Sequence, residues 1–120
     1  MKAYTQHYIN GEWVEASSSQ YLEVTDSNTE AVMATVPAGT AQEAAQAVMA
    51  ARAAFAGWSA LSVEERAVYL DKITAGLKAR SDELTTTIAS EVGMPLKMAG
   101  MVHVGMPIFN WGNFDKVAGQ

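Results

Sequence analysis

The sequence predicts a mainly helical α+β fold with an antiparallel β ribbon at its amino-terminal end. Short stretches rich in β-branched and aromatic residues alternate with turn-forming residues over 1–39. From residue 40 onward, apolar residues recur at three- and four-residue steps, which is the period of an amphipathic helix. We therefore expect a ribbon region over 1–39 and a helical region over 40–120.

The ribbon region contains a strong hairpin signal. Asn10-Gly11 stands between apolar, β-favouring residues, which is typical of a two-residue hairpin turn. Two further strands are predicted at Tyr21–Thr25 and Ala31–Val36, because turn-forming residues separate them. The run Ser17–Ser19 is interpreted as a polar loop. A ribbon of this size is marginally stable alone and needs something to pack on.

Two capping boxes predict where the first two helices begin. Thr40 with Glu43 starts the first helix, and Ser62 with Glu65 starts the second. Gly57 is expected to loosen the end of the first helix. The helices are expected to pack through two apolar faces. These faces consist of Ala44, Val48, Ala51, Phe55 and Trp58 in the first helix, and Leu70, Ile73 and Leu77 in the second.

Glycine and proline interrupt the remaining helical sequence. Ser81, followed by two acidic residues, predicts a cap and first-turn charges for a continuation of the second helix or for a third helix. Gly93 is expected just past the end of that helix, and Pro95 in the first turn of the next one. Over Pro95–Val117 we expect a kink or two shorter helices, because Pro107 has no N–H to donate. The expected apolar side of the third helix consists of Leu84, Ile88 and Val92.

Composition excludes several classes of function. Apolar residues make up 49% of the 120 residues, and the net charge is −5 with acidic and basic residues mixed, which argues against a nucleic-acid surface or a basic membrane patch. The sequence has no cysteine, so disulfides, thiolate metal sites and cysteine nucleophiles are excluded in this chain. With no secretory signal visible and no long apolar run, we expect a soluble cytoplasmic protein.

Histidines and serines are the first candidates for chemistry. His7 and His103 have no second histidine nearby in sequence, so packed or surface histidines are favoured over a zinc site. No serine lies in a nucleophile elbow, and Ser62 is better explained as a helix cap. The glycines form neither dinucleotide-binding nor P-loop motifs. The start of the first helix, after Gly39-Thr40, could offer amides to an anion, although such starts are common.

Carboxylates and methionines also suggest structural roles and no active site. The adjacent Glu64 and Glu65 point to different sides of a helix, and Asp82-Glu83 suit first-turn electrostatics. Glu91 beside a glycine could be a general base on a loop, but a last-turn helix residue is favoured. The seven methionines suit core or interface packing better than a soft-metal site. We therefore predict no catalytic, cofactor-binding or metal-binding residue in this chain.

Five motifs in order carry a resemblance to a known family. They are I-N-G-x-W at Ile9–Trp13, V-P-A-G-T at Val36–Thr40, A-x-x-A-A-R-A-A-F-x-x-W at Ala47–Trp58, E-R-A at Glu65–Ala67 and E-x-G-x-P at Glu91–Pro95. Each motif alone is weak, but together they resemble the amino-terminal segment of the aldehyde dehydrogenase superfamily. The resemblance runs from about Tyr8 to Gly119, nearly the whole chain.

The resemblance implies both a fold and an activity. Members of this family oxidise aldehydes to acids or acyl thioesters with NAD or NADP, and this opening segment belongs to their α/β cofactor-binding domain. Their nucleophilic cysteine, general-base glutamate and cofactor loop come later in the chain. The resemblance therefore implies a fragment, a single incomplete domain, that binds no cofactor and is inactive alone.

The resemblance also bears on ions and partners. Some members hold a monovalent cation near the positions of Thr25 or Asp26 with a carboxylate from a later helix. His103 stands where that carboxylate would be and is a poor ligand for a hard ion. The family often has lysine where Met94 stands. The expected partner is the remainder of the enzyme chain. The alternative is a stand-alone helical module that self-associates through exposed apolar helix faces, and a third possibility is a helper that completes a split enzyme.

Overall fold

The computed structural model describes residues 1–114 and divides the chain into two compact units. Over the described residues, the first unit, Met1–Ala60, holds five strands and one helix. The second unit begins at Leu61, and the elements of its described part are all helices. Helical structure begins at Ala41, next to the predicted change at residue 40, but the first helix shares a compact unit with the strands.

The strands of the first unit form two sheets. Lys2–Ala3 (β1), Val32–Pro37 (β5) and Tyr21–Thr25 (β4) form a sheet in the order β1-β5-β4. Gln6–Ile9 (β2) and Glu12–Glu15 (β3) form a hairpin. The hairpin and the β4–β5 pair are antiparallel, as predicted, whereas β1 runs parallel to β5 and was not predicted. Two residues are too few to show a strand period.

Turn-forming residues determine both antiparallel pairings. Asn10 and Gly11 have φ of 56° and 82°, the two positive values that a type I′ hairpin turn requires. After β4, the Asp26 carboxylate accepts a hydrogen bond from the N–H of Asn28 at 2.8 Å, as in an Asx turn. Glu30 then adopts φ of 61° before β5 begins, one residue later than predicted. Both predicted turns are therefore confirmed.

Helix α1, Ala41–Ser59, completes the first unit. Its predicted capping box is present, with the Glu43 N–H donating to Thr40 Oγ1 and the Glu43 carboxylate accepting from the Thr40 N–H. The helix continues through Gly57 and ends at Ser59, inside the stretch 57–59 that was expected to loosen its end. The predicted apolar face is exposed in the described chain, with Val48 68% and Phe55 58% exposed.

Helix α2, Val63–Ala79, begins the second unit at the second predicted capping box. Of the three residues predicted to form the buried stripe, Ile73 is wrong, because it is 43% exposed and the neighbouring Thr74 is buried instead. The Thr74 hydroxyl donates to the Leu70 carbonyl at 2.9 Å, which satisfies the polar group inside the helix. Leu70 and Leu77 are half-buried.

Helix α3, Ser81–Val92, follows α2 after the single residue Arg80. Arg80 is the N-cap and no side chain caps the helix, so the predicted cap at Ser81 is wrong. The last residue of the expected apolar side, Val92, is exposed, while Leu84 and Ile88 are half-buried. The predicted helix end is confirmed, since Gly93 adopts the left-handed conformation with φ of 71° and ψ of 24°.

The last helical run changes its winding twice. Leu96–Met98 (α4) leads into a π-helix, Ala99–Gly105, and then into Met106–Trp111 (α5). Pro95 is the N-cap of α4, one residue earlier than expected. Pro107 lies in the first turn of α5, directly after the π-helix, and has no N–H to donate to the preceding turn. The interruption predicted over Pro95–Val117 is confirmed up to residue 114, and the rest of that range lies outside the described residues.

The π-helix packs closely against α3. Ala99 and Val104 are buried, as is Ala89 of α3. A Cβ placed on Gly100 would lie 3.3 Å from Thr85 Oγ1, so the two helices approach each other closely there. Met101 and Met106, two of the seven methionines expected in core or interface packing, are more than half exposed. Within residues 1–114, no helix combines the length and apolar character needed to cross a bilayer.

Candidate functional site

A cluster of polar groups surrounds the carboxylate of Glu43 in the first turn of α1. Glu43 Oε1 accepts hydrogen bonds from the Ser17 N–H at 2.7 Å and the Ser17 hydroxyl at 3.0 Å. Glu43 Oε2 accepts from the Thr40 N–H at 2.7 Å and the Thr40 hydroxyl at 2.8 Å. One buried carboxylate therefore fastens the loop after β3 to the start of α1.

These donors determine the protonation state of Glu43. The backbone N–H of Ser17, followed by the N–H and hydroxyl of Thr40 and then by the Ser17 hydroxyl, lowers the pKa of Glu43 from 4.5 to about 2; burial acts in the opposite direction. Glu43 is therefore ionised at neutral pH and is a weak proton acceptor. Its role is to hold the chain in place, because its oxygens are already occupied by four donors.

His7 lies in β2 beside this carboxylate. Its Nε2 is 3.7 Å from Glu43 Oε2, which is too long for a hydrogen bond. That nitrogen is buried and has no hydrogen-bond partner in the described part of the chain. The hydroxyls of Ser17 and Thr40 donate to Glu43, so neither is poised as a nucleophile toward His7. The half-buried side chain of His7 faces the first turn of α1, in agreement with the packed or surface histidine that the sequence favoured.

A cavity of about 310 Å³ opens beside the cluster, and His7, Gly39 and Thr40 contribute to its walls. The sequence left open an anion site at this helix start. The Glu43 N–H is taken by Thr40 Oγ1, and the Thr40 N–H is taken by the Glu43 carboxylate. Because an ionised carboxylate already occupies the helix terminus, a second anion would be repelled from it. The cavity therefore does not form a phosphate cradle.

The remaining candidates lie in separate places. His103 is exposed in the π-helix, and Glu91 is exposed in the last turn of α3. The Asp26 carboxylate is engaged in its own turn. Among residues 1–114, no three His, Cys, Asp or Glu side chains are grouped so that they could hold a metal ion.

Two pairs of adjacent acidic residues each lie in the first turn of a helix. Glu64 and Glu65 are in the first turn of α2, where Glu65 completes the capping box. The backbone amide of Glu64, together with the Ser62 hydroxyl, lowers the pKa of the Glu64 carboxyl. Asp82 and Glu83 are in the first turn of α3. These positions suit helix-end electrostatics and bring no acid–base pair together.

Sequence reasoning found half of the Glu43 cluster and missed the other half. The capping box joins residues three apart, so it is visible in sequence. Ser17 lies 26 residues from Glu43 and was interpreted only as part of a polar loop. No sequence signal connects the two, because their contact depends on how the hairpin folds against α1.

Known proteins with the same pattern identify the family of this chain. Residues 13–114 match the model of the aldehyde dehydrogenase family. This chain belongs to the aldehyde dehydrogenase family. A putative aldehyde dehydrogenase from Staphylococcus aureus is 40% identical over 106 residues, which make up 88% of this chain and 22% of that relative. The resemblance carried by the five motifs is thereby confirmed.

Solved structures of the family contain the same fold. Lactaldehyde dehydrogenase from Escherichia coli superposes with a TM-score of 0.93 at 31% identity, covering 100% of this chain and 25% of that one. Aldehyde dehydrogenase C from Pseudomonas syringae, solved as a mutant with NAD+ and octanal, superposes with a TM-score of 0.90 at 33% identity. The match covers 97% of this chain and 24% of that one. The chain thus spans about a quarter or less of the length of these relatives and has the fold of that part of them.

Proposed function

We propose that this chain is the amino-terminal segment of an NAD-dependent aldehyde dehydrogenase and has no dehydrogenase activity by itself. The observation that carries the proposal is the combination of family membership with a span of only 22% of a relative's length. The chain has no cysteine, so it cannot supply a thiolate nucleophile for attack on an aldehyde. Its most engaged carboxylate, Glu43, is held ionised by four donors and is no general base.

NAD is proposed as the cofactor of the whole enzyme. The support is the Pseudomonas syringae structure, which contains NAD+, at 33% identity to this chain. The start of α1 is occupied by the Glu43 carboxylate, which argues against phosphate binding at that helix end. The segment contributes to the enzyme by its fold and leaves cofactor binding to the rest of the protein.

A chimera tests this proposal. The chain would replace the corresponding opening segment of the Pseudomonas syringae enzyme, with its catalytic cysteine intact. NADH formation from octanal and NAD+ would be followed by absorbance. We expect activity from the chimera and none from the isolated chain with a panel of aldehydes. The unmodified host enzyme is the positive control, and the host without its opening segment is the negative control.

Two results would contradict the proposal. Turnover by the pure 120-residue chain would show that chemistry takes place without the missing parts. A chimera that is no more active than the host lacking its opening segment would show that the chain is not an equivalent of that segment.

A further inference from the structure

The two loop residues of the β2–β3 hairpin, Asn10 and Gly11, have a reactive sequence. A backbone nitrogen that follows asparagine can attack the side-chain amide, and glycine hinders this attack least because it has no Cβ. Of the four asparagines in the sequence, Asn10 is the one that precedes a glycine. The others precede threonine, tryptophan and phenylalanine, and they are Asn28, Asn110 and Asn113. We call Asn10-Gly11 the hairpin tip.

The fold leaves the hairpin tip accessible. The ladder of the hairpin ends at the pair of Ile9 with Glu12, so both residues of the tip lie in the loop outside it. Asn10 and Gly11 are exposed, and a Cβ built on Gly11 would meet nothing within 4 Å. Water can therefore reach the peptide bond between them.

The turn conformation restrains the reaction. The positive φ values of Asn10 and Gly11, 56° and 82°, are those of a type I′ turn, whose first loop residue has ψ of about +30°. The five-membered ring that forms when the glycine nitrogen attacks fixes ψ of the asparagine at a negative value. The tip must therefore leave its turn conformation before it can react. Local openings of this kind occur in native proteins and cost least in loops.

A cross-strand pair of aromatic residues holds the turn closed. Tyr8 and Trp13 lie directly opposite each other in the ladder, next to the pair that closes the tip. Their ring centroids are 5.1 Å apart, and such pairs stabilise a hairpin. The two side chains are 62% and 63% exposed, so this contact can be altered without opening a buried core.

We propose that Asn10 is a site of spontaneous deamidation and that opening of the hairpin tip sets its rate. The Gly11 nitrogen bonds to Asn10 Cγ, the bond from Cγ to Nδ2 breaks, and ammonia leaves with the proton of the Gly11 N–H. Water then opens the cyclic imide. Cleavage between Cγ and the ring nitrogen gives aspartate, and cleavage at the backbone carbonyl gives isoaspartate. Water is the only co-reactant, and nothing is oxidised or reduced.

The isoaspartate product is incompatible with the turn. Its chain runs through the former side chain and contains one additional backbone carbon, so a two-residue loop no longer joins Ile9 to Glu12 in register. Either product adds a negative charge next to Glu12. The hairpin tip and Ala47 of α1 line the same cavity of about 310 Å³, so the change falls where the hairpin meets the helix.

Ageing of the folded 120-residue chain in mildly alkaline buffer tests the site. Peptide mapping by mass spectrometry measures the conversion of each asparagine, and labelling by an isoaspartyl methyltransferase identifies isoaspartate. Asn10 should react about tenfold faster or more than Asn28 and Asn110, because only its neighbour lacks a Cβ. Asn10→Gln should remove the isoaspartate signal. A rate at Asn10 no higher than that at Asn28 would overturn the proposal.

Aromatic substitutions test the control by hairpin opening. Trp13→Ala should raise the rate at Asn10 about twofold or more, because the ring contact that closes the tip is lost. Tyr8→Ala should do the same. Phe109→Ala is the matched control, since Phe109 is 70% exposed in α5 and should leave the rate unchanged. Circular dichroism establishes that each variant is folded.

Concentrated urea supplies the second arm. With the hairpin unfolded, wild type and Trp13→Ala should react at the same rate, and both should react faster than the folded wild type. Equal rates for wild type, Trp13→Ala and Tyr8→Ala in the folded state would overturn the proposed control by the tip. The same would follow if Trp13→Ala raised the rate by an equal factor in urea, because the effect would then not depend on the turn.

Discussion

Gly93 ends α3 in a left-handed conformation, and alanine at this position should destabilise the chain. With φ of 71° and ψ of 24°, the residue lies where a Cβ approaches the following carbonyl oxygen. That conformation costs an L-residue about 1–2 kcal/mol. Alanine also makes the unfolded chain less flexible, which returns about 0.4–1 kcal/mol. The expected net loss for Gly93→Ala is therefore about 1 kcal/mol in the free energy of unfolding.

The same substitution at Gly76 should have the opposite sign. Gly76 lies inside α2 with no positive φ, and a Cβ there would meet nothing within 4 Å. Alanine should therefore stabilise the helix by about 0.5–1 kcal/mol. Gly93→Asn is a useful third variant, because asparagine tolerates the left-handed region better than alanine does. The expected order of stability is Gly76→Ala, wild type, Gly93→Asn and Gly93→Ala.

Urea unfolding followed by far-ultraviolet circular dichroism measures these differences. With a slope of about 2 kcal/mol per molar, a change of 1 kcal/mol moves the midpoint by about 0.5 M. The slopes should be unchanged, since neither substitution alters the surface exposed on unfolding. The reasoning would be refuted if both alanine variants shifted the midpoint in the same direction by similar amounts.

Three further substitutions have defined outcomes. Glu43→Gln should lower the urea midpoint at neutral pH. Because folding lowers the pKa of Glu43 from 4.5 to about 2, the stabilisation by its carboxylate is full above pH 4.5 and is lost as the pH falls through about 2. A difference in midpoint between Glu43→Gln and wild type that does not change with pH would contradict this reasoning. Gly100→Ala should stabilise the chain less than Gly76→Ala does, because the new Cβ lies 3.3 Å from Thr85 Oγ1 and this crowding opposes the helical gain. Adding Thr85→Ala should remove the crowding, so the effect of Gly100→Ala measured by thermal unfolding in the Thr85→Ala background should be more favourable than in wild type, and an equal effect in both backgrounds would contradict this explanation. Ser62→Ala should lower helix content and cost about 1 kcal/mol through loss of the cap, whereas an unchanged midpoint would show that α2 does not depend on it.

Local features of the fold could be predicted because their causes are local. The two capping boxes, the Asn10-Gly11 turn and the left-handed Gly93 depend on residues no more than four apart. Each of these was found from residue type and spacing alone. Pro107 likewise indicated a break in the last helix, although its residue type does not say whether the break is a kink or a π-helix.

Tertiary features could not be predicted in the same way. The sequence shows the apolar period of α1, but this period does not tell which part of the protein packs on the apolar face of the helix. Val48 and Phe55 of that face are exposed in the described chain. In α2, the half-buried leucines flank a buried threonine, because a hydroxyl that bonds back to its own helix can be packed inside. Of the contacts around Glu43, only those with Thr40 could be predicted from the sequence, because Ser17 belongs to a loop 26 residues away.

The position of β5 at the centre of its sheet has a consequence for the order of folding. On one side β5 pairs with β4 across a short turn, as Val24 does with Ala34. On the other side Ala34 pairs with Lys2, so that contact closes a loop more than three times as long. Because local pairings form before distant ones, the β4–β5 hairpin should form first and provide the edge to which β1 is added. In a pulse-labelling hydrogen-exchange experiment during refolding, the β5 amides that face β4 should gain protection before the amides that join β1 to β5.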